Sequence, residues 1–324
     1  MQRRTFFRKL APHGVAAAAL MAGSASRAEA AKLGRGNVCF ITDEYDRDLD
    51  KALAFGREFG VRQVEIRNVD GKYCLLHDAP KLREIRGKLD AAGTRVALLS
   101  TPILKCIAPG FQVSPEAENE ISLAAPGFPI PNAEQFPRSV EFMNRAIEAA
   151  TILGTDKIRV FSFWRVVDPP AIHSLILEKL EEVAAIARKA GITLCIENET
   201  ACNLATCAET ASVLAKAPAN VGMLWDPRNA AIRGEIAFPH GYSLLDKKKI
   251  HHMHLKDFQT DAATGQHQTV AVGDGVLPYP AIFKALANDG YQGALSMETH
   301  FSLNGSREEA SRRSMRGILK ALES

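Results

Sequence analysis

Four stretches near the end of the chain decide its fold, and they read ITLCIE (192–197), NVGMLWD (220–226), IHHMHLK (250–256) and ALSME (294–298). In each short run, apolar residues recur at every second position, as in a β-strand with one face buried. Segments of helical character separate these runs from one another. The alternation extends toward the amino terminus, where four more strand-like runs occur at 37–41, 63–67, 95–100 and 157–161.

The intervening segments predict helices, the clearest of which are 48–59, 140–153, 175–190, 208–215 and 279–288. Glycine follows several of these segments where a left-handed residue closes a helix, at Gly60, Gly93, Gly154, Gly191 and Gly290. Eight successive strand–helix units predict an α/β fold, a (β/α)8 TIM barrel, with a doubly wound open sheet as the alternative. No linker composition divides the chain, so residues 31–324 are expected to form a single domain.

Residues 101–137 interrupt the alternation after the third strand-like run. They are rich in proline and glycine and lack a clear hydrophobic period. We expect a long loop over the barrel mouth, a lid that sets specificity.

The first 30 residues predict a targeting segment. Residues 2–8 read QRRTFFR and resemble the twin-arginine export signal, followed by a short apolar stretch at 15–22 and the small-residue site Ala28–Ala30. The expectation is a signal peptide over residues 1–30, a periplasmic protein and no stable membrane anchor, since the apolar stretch is too short to span a bilayer. The alternative is a disordered basic tail of a cytoplasmic protein.

The charge of the body argues against nucleic-acid binding. The whole chain carries +3, but the first 30 residues hold five basic residues against one acidic residue, a local +4, which leaves −1 for residues 31–324. A protein that binds the phosphate backbone usually shows a clustered basic footprint. The six cysteines lie at 39, 74, 106, 195, 202 and 207 without Cys-x-x-Cys spacing, and we expect buried free thiols in preference to disulfides.

Side-chain alternation in the last four strands selects the residues that face the barrel axis. In residues 250–256 the helix-facing set is His251, Met253 and Leu255, because two of its three members are apolar. The same rule directs alternate residues of each strand toward the axis: Cys195 and Glu197, Leu224 and Asp226, His252, His254 and Lys256, Ser296 and Glu298. Active sites of such barrels lie at the carboxyl ends of the strands, where Glu197, Asp226, His254 and Glu298 are expected to meet.

Three carboxylates and one imidazole are a mostly oxygen-rich ligand set. It suits Mn²⁺ or Mg²⁺, with Co²⁺ or Zn²⁺ as alternatives, and uncompensated carboxylates at one point would be costly without a cation. Each residue also has a simpler explanation. Asp226 could open a turn before Pro227, His254 could be a core histidine, and Glu197 and Glu298 could form ion pairs with Lys256 or Arg159.

Four motifs resemble the metal-site motifs of the xylose isomerase-like TIM-barrel superfamily of sugar-phosphate isomerases and epimerases: CIEN (195–198), WDPRN (225–229), HMHLKD (252–257) and SMETH (296–300). The resemblance implies that Glu197, Asp226, His254 and Glu298 bind one divalent metal ion. It also implies that Glu197 and Glu298 are the catalytic acid/base pair of an isomerase or epimerase. Such an enzyme moves a proton next to a carbonyl of a small carbohydrate through an enediolate.

Three departures limit this resemblance. Asn229 and Glu199 stand where many or several members carry histidine, and Thr260 lies in the region where epimerases place an arginine. These changes put ketose 3-epimerisation in doubt. Asn229, Glu199, Lys256 and His300 are candidate substrate contacts.

Two other functions stay open. A lyase that eliminates a substituent from a keto-sugar or 3-keto-glycoside needs the same metal and base, and export favours it. A non-catalytic exported sugar-binding protein could keep the same residues as ligands. An endonuclease of the same fold is disfavoured by the charge of the body and by the small number of histidines at the mouth. The sequence leaves the oligomeric state open, and a homo-oligomer remains compatible with it.

Overall fold

A computed structural model of the protein describes residues 33–122 and 128–324. The predicted twin-arginine signal peptide over residues 1–30 lies outside the described residues.

Eight parallel strands form the centre of the molecule. They are β1 (Val38–Phe40), β2 (Gln63–Ile66), β3 (Arg95–Leu99), β4 (Lys157–Val160), β5 (Thr193–Glu197), β6 (Val221–Trp225), β7 (Ile250–Leu255) and β8 (Ala294–Met297). Their order in the sheet is β1-β8-β7-β6-β5-β4-β3-β2. A parallel bridge between Ile41 and Glu65 joins the first strand to the second, so the sheet closes almost completely. The predicted TIM barrel is confirmed, and the alternative of a doubly wound open sheet is excluded.

One principal helix follows each strand. These helices are α1 (Leu49–Glu58), α2 (Ala79–Ala91), α3 (Ser139–Leu153), α4 (His173–Lys189), α5 (Cys207–Leu214), α6 (Pro227–Ile232), α7 (Tyr279–Asn288) and α8 (Arg307–Glu323). Gly154 closes α3 with φ of 78°, a left-handed conformation in which a side chain is disfavoured. The other four glycines predicted to end helices also have positive φ. Helix ends were therefore readable from the sequence.

The hydrophobic core lies mainly between the barrel and the helices. Leu194, Ile196, Met223 and Trp225 belong to this layer. A separate small cluster of Leu98, Cys195 and Leu224 lies inside the barrel. The strands therefore alternate as predicted, with one set packed on helices and the other set directed to the axis.

Two register shifts break the alternation, and each leaves one residue between two pairs. Between β2 and β3, Val64 pairs with Val96 and Glu65 pairs with Leu98, which leaves Ala97 between them. The second shift, between β6 and β7, pairs Met223 with Ile250 and Leu224 with His252, which leaves His251 between two pairs. Its ring occupies the place that a Cβ on Gly222 would need, and it lines the amino-terminal opening of the barrel. The expectation that His251 packs on the helices was wrong, because a bulge suspends the two-residue period.

The insertion at 101–137 is not a plain loop. It contains the helix Pro115–Ser122, called the lid helix below, and the short helix Asn132–Gln135. The hydroxyl of Ser114 accepts a hydrogen bond from the amide of Ala117, so Ser114 caps the lid helix in the usual way. The proline and glycine content of the insertion concealed this helix.

All six cysteines are buried and free, as predicted. Within the described part of the chain, no helix combines the length and apolar character needed to cross a membrane.

Candidate metal centre

The four predicted side chains meet at the carboxyl ends of β5 to β8. Each of Glu197, Asp226, His254 and Glu298 is buried, and the ligand atoms that they offer all lie within 4.8 Å of one another. Parallel neighbouring strands carry them to this point, because their last inward residues lie at the same rim of the barrel. The structure therefore brings together the whole predicted set, and their role as metal ligands stays a prediction.

Asp226 serves two purposes, one with each carboxylate oxygen. Oδ1 accepts a hydrogen bond from the amide of Asn229 at 3.0 Å and caps α6, which matches the turn interpretation of the sequence. Oδ2 faces the centre. The backbone amide of Asp226 donates to Oδ1 of Asn198 at 2.7 Å, and this fixes the residue at the strand end.

His254 lies between two groups of carboxylates. Its Nδ1 is 3.1 Å from Oε1 of Glu197 and 2.9 Å from Oε2 of Glu298. Its Nε2 is 3.1 Å from both oxygens of Glu65. Burial alone would lower the pKa of this imidazole, but the surrounding carboxylates raise it well above its usual value.

Two basic side chains neutralise part of the acidic cluster. Nη1 of Arg159 is 3.1 Å from Oε2 of Glu197, and Nζ of Lys256 is 2.7 Å from both Oδ2 of Asp226 and Oε2 of Glu298. Burial by itself raises the pKa of Glu197, but His254 and Arg159 lower it to about 2. The ion pairs considered as simple explanations of Glu197 and Glu298 are thus both present, and they coexist with the convergence of the four side chains.

The donor set fits a divalent cation. Among the residues that the structure describes, Oδ2 of Asp226 and Oε2 of Glu298 are buried and lack a hydrogen bond of acceptable geometry, although Lys256 is close to both. Buried carboxylate oxygens without such bonds are costly unless a cation meets them. Glu197, Asp226, His254 and Glu298 are therefore the residues that could hold a metal ion.

The second oxygen of Glu298 points toward the rim. Oε1 is 3.0 Å from Nε2 of His300, whose side chain is 42% exposed. His300 has φ of 47°, an uncommon value for a residue with a side chain, and its backbone amide donates to Oε2 of Glu44 at 3.1 Å. Burial alone would raise the pKa of Glu298, but His300, Lys256 and His254 hold it well below the usual range.

The remaining predicted contacts lie on the wall of the mouth. Glu199 is 3.7 Å from Nζ of Lys105 and accepts a hydrogen bond from Nδ2 of Asn229 at 3.3 Å. The Asn229 amide also donates to the carbonyl of Asn198 and accepts from Thr200, so its polar atoms are already engaged. Lys256 contacts both Asp226 and Glu298, and His300 contacts Glu298.

The mouth is a cavity of about 890 Å³ above the cluster. Strand ends and the insertion both contribute to its wall, which includes Lys105, Glu116, Phe128, Trp164, Glu197 and Glu298. Glu116 belongs to the lid helix, and Phe128 follows it in the insertion. The predicted position of the insertion over the barrel mouth is confirmed.

Three further charged residues of this region were not predicted. Glu65 lies in β2 beneath His254, Glu44 lies 3.4 Å from His300, and Arg67 contacts Glu44. The strand pattern does contain a signal for Glu65, because Gln63, Glu65 and Arg67 alternate with Val64 and Ile66 as the inward residues of other strands do.

Known proteins share this fold and part of this sequence. The model of the family described as xylose isomerase-like TIM barrel matches residues 53–322. An inosose dehydratase of Erwinia tasmaniensis is 27% identical over 139 residues, which cover 38% of this chain and 46% of that protein. The chain therefore spans about half the length of this relative.

Solved structures with the same architecture cover nearly all of the described chain. A probable 3-DHS dehydratase of Bacillus anthracis has a TM-score of 0.65 at 12% identity, covering 89% of this chain and 99% of that one. The IolI protein with a bound zinc atom has a TM-score of 0.65 at 18% identity, with coverages of 89% and 98%. A 3-keto-D-glucoside 4-epimerase from E. coli has a TM-score of 0.62 at 15% identity, with coverages of 89% and 99%.

These structural matches concern the fold alone, because their identities are low. The family match is of another kind, since it extends over most of the chain and includes all four converging side chains. The chain belongs to the xylose isomerase-like TIM barrel family.

Proposed function

We propose that this protein is a divalent-metal-dependent enzyme that removes a proton from the carbon next to a carbonyl of a small carbohydrate. The expected reaction is isomerisation or epimerisation through an enediolate. The proposal extends to Mn²⁺ or Mg²⁺ as the ion, with Co²⁺ or Zn²⁺ as alternatives; the zinc bound by one structural relative agrees with a site of this type.

The observation that carries the proposal is the convergence of Glu197, Asp226, His254 and Glu298 within 4.8 Å at the barrel mouth. Two of their oxygens, Oδ2 of Asp226 and Oε2 of Glu298, are buried without a well-formed hydrogen bond in the described part of the chain. Nζ of Lys256 lies 2.7 Å from both of these oxygens, so a lysine ammonium holds part of the position that a divalent ion would take.

A divalent ion in this place would polarise the substrate carbonyl and offset the negative charge of an enediolate. The proton itself would be moved by carboxylates of this chain. In the proposed roles, one of Glu197 and Glu298 takes the proton from carbon and the other returns a proton. Lys256 and His300 are proposed to hold substrate oxygens, because each has a nitrogen within 3.0 Å of Glu298.

Asymmetry between the two glutamates suggests how the roles divide. Both glutamates line the mouth, and both oxygens of each have polar neighbours. They differ in one respect, since Oε1 of Glu298 lies beside the partly exposed His300 at the rim, whereas Glu197 is paired with the buried Arg159 and His254. We therefore assign the first proton abstraction to Glu298.

A second candidate is a lyase that uses the same proton abstraction but then expels a group from the neighbouring carbon. The similarity to an inosose dehydratase over part of the chain favours it. The proposed export of the protein also favours it, because free sugar phosphates are scarce outside the cytoplasm. A non-catalytic sugar-binding protein is the third candidate, and retention of both glutamates argues against it.

Location in the cell is proposed on the sequence alone. Residues 1–30 are proposed as a twin-arginine signal that delivers the enzyme to the periplasm. Free sugar phosphates are scarce there, so an unphosphorylated carbohydrate is the proposed substrate.

The deciding experiment incubates the manganese-loaded protein in deuterated water with a panel of ketoses and 3-keto-glycosides. Deuterium in an intact sugar identifies an isomerase or epimerase, whereas an enone or a released aglycone identifies a lyase. Proton NMR and mass spectrometry distinguish these products. Sugar binding without exchange or elimination on any substrate would contradict both enzymatic proposals and favour a binding protein.

A further inference from the structure

The barrel contains a carboxylate beneath the metal centre that none of the roles above uses. Glu65 lies in the middle of β2 and is 0% exposed. It accepts hydrogen bonds from Nε2 of His252 at 2.9 Å and from Oγ of Ser296 at 2.7 Å, and a further one from the hydroxyl of Ser100. These donors come from three other strands or strand ends, so the position of the carboxylate is fixed from several sides.

The same carboxylate meets His254 on the side away from the metal centre. Nε2 of His254 is 3.1 Å from both oxygens of Glu65, while Nδ1 points to Glu197 and Glu298. An ionised carboxylate only accepts hydrogen bonds, so Nε2 must carry a hydrogen in this arrangement. Nδ1 also meets carboxylate oxygens, but these belong to the candidate metal ligands Glu197 and Glu298. With Nε2 held by Glu65, Nδ1 is the nitrogen that would give up its hydrogen and offer a lone pair to a cation.

We propose that Glu65 is the positioning residue of the metal centre, which holds the imidazole of His254 in the orientation and tautomer that present Nδ1 to the ion. This inference rests on the proposed metal-binding function. A carboxylate behind a ligand histidine fixes the ring and makes the ligating nitrogen more basic, and its loss typically weakens metal binding by about 10- to 100-fold.

A metal site at Glu65 itself is the competing explanation. Cys39, Glu65 and His252 could also offer ligand atoms within 4.8 Å of one another. However, both oxygens of Glu65 already accept hydrogen bonds from side chains on two or more sides, and Sγ of Cys39 is 3.5 Å from Oγ of Ser296. Both oxygens of this carboxylate are therefore satisfied by hydrogen-bond donors and do not require a cation.

His252 shows why the position of His254 matters. Both imidazoles donate from Nε2 to the same carboxylate, but His252 lies deeper in the barrel. Within the residues described, Nδ1 of His252 is buried without a partner, and His252 does not belong to the four-residue group at the mouth. Glu65 thus supports two histidines, and only His254 turns its second ring nitrogen to the candidate ligands.

The test compares metal binding by Glu65→Gln and by a matched control, Ser296→Ala. Glutamine keeps the shape but offers one acceptor oxygen to several donors, and its amide hydrogens oppose those of the histidines. Ser296→Ala removes one hydrogen bond to Oε2 of Glu65 but leaves the carboxylate that His254 contacts. Titration calorimetry with Mn²⁺ should show a 10- to 100-fold weaker affinity for Glu65→Gln, as expected for loss of a carboxylate behind a ligand histidine, and an unchanged affinity for Ser296→Ala.

A measurement on the unaltered chain keeps the inference testable if Glu65→Gln fails to fold. Histidine-labelled protein loaded with Zn²⁺ should show the ring hydrogen of His254 on Nε2 and a metal-shifted Nδ1 in nitrogen–proton correlation NMR. The opposite tautomer, or equal Mn²⁺ affinity in folded Glu65→Gln, would overturn the role of Glu65.

Different results would refute the proposed metal-binding function and the positioning role of Glu65. If the unaltered protein binds no divalent ion, then the proposed function fails. If the unaltered protein binds an ion and Glu65→Gln binds it equally well, then only the positioning role fails.

Discussion

Replacing Glu298 by glutamine tests the acid/base assignment with the smallest change in shape. Its carboxylate oxygens lie 2.7 Å from Lys256 Nζ, 2.9 Å from His254 Nδ1 and 3.0 Å from His300 Nε2. An amide can still bond to part of this set, so the barrel should fold. It cannot accept a proton from carbon, so turnover should fall by the whole contribution of the base.

The expected loss follows from the role of the carboxylate. General acid–base catalysis contributes about 10²- to 10⁴-fold, which corresponds to about 2.7 to 5.4 kcal/mol of activation free energy. Glu298 also supplies one of three candidate carboxylate ligands, so metal affinity should fall as well. The assay therefore measures turnover at several Mn²⁺ concentrations up to saturation and compares rates at saturation.

Glu308→Gln is the matched control, because Glu308 is an exposed carboxylate on α8 whose Oε1 lies 3.1 Å from Nε of Arg312. Its turnover should equal that of the unaltered protein. Normal turnover by Glu298→Gln with metal saturated would refute the assignment of Glu298 as the base.

Three further results are expected. Removal of divalent metal by a chelator should lower the melting temperature. Mn²⁺ at about 100 times its dissociation constant should then raise the free energy of unfolding by about 2.7 kcal/mol. A melting temperature that does not change with metal would contradict the proposed metal site. Gly317→Ala should destabilise the fold by about 1–3 kcal/mol in urea unfolding, because its Cβ would collide with the carbonyl oxygen of Val272. Gly87→Ala, also in a helix but with open space around it, should stabilise by about 0.5–1 kcal/mol, and equal effects of the two would count against the packing argument. A thiol-specific reagent should label none of the six buried cysteines in the native protein and all six after unfolding, whereas fewer labels after unfolding would indicate a disulfide.

The barrel and the meeting of four side chains were predictable from the sequence because both depend on a two-residue period. Leu194 and Met223 pack against helices, while Cys195 and Leu224 lie inside, as alternation requires. Once the strands were recognised, Glu197 and Glu298 had to face the axis. Closure of the barrel then brought them together without any detail of loop conformation.

Three features escaped prediction, each for a different reason. His251 lies over Gly222 because of a bulge, and nothing in the residue pattern marks that shift. The lid helix was not predicted although Ser114 and Pro115 are a helix-start signal. The helix is short, and the prolines around it indicate a loop. Glu65 was overlooked because a single acidic residue between Val64 and Ile66 resembles an ordinary strand position.

Contacts between residues of distant strands could not be predicted from the sequence. The contact between Glu65 and His254 joins the second strand to the seventh across the barrel interior, and alternation alone does not say which inward residues touch. Likewise, alternation does not predict the three ion pairs at the centre, in which Arg159 contacts Glu197 and Lys256 contacts both Asp226 and Glu298.

The ammonium of Lys256, 2.7 Å from two of the candidate ligands, has a consequence for the order of assembly. In the folded protein this ammonium offsets the repulsion between the carboxylates of Asp226 and Glu298. We therefore expect the chain to fold before it binds a metal ion. A divalent ion that binds here would have to displace the Lys256 ammonium from these two carboxylates. Its apparent affinity would therefore depend on competition with Lys256 as well as on the strength of the ligand set.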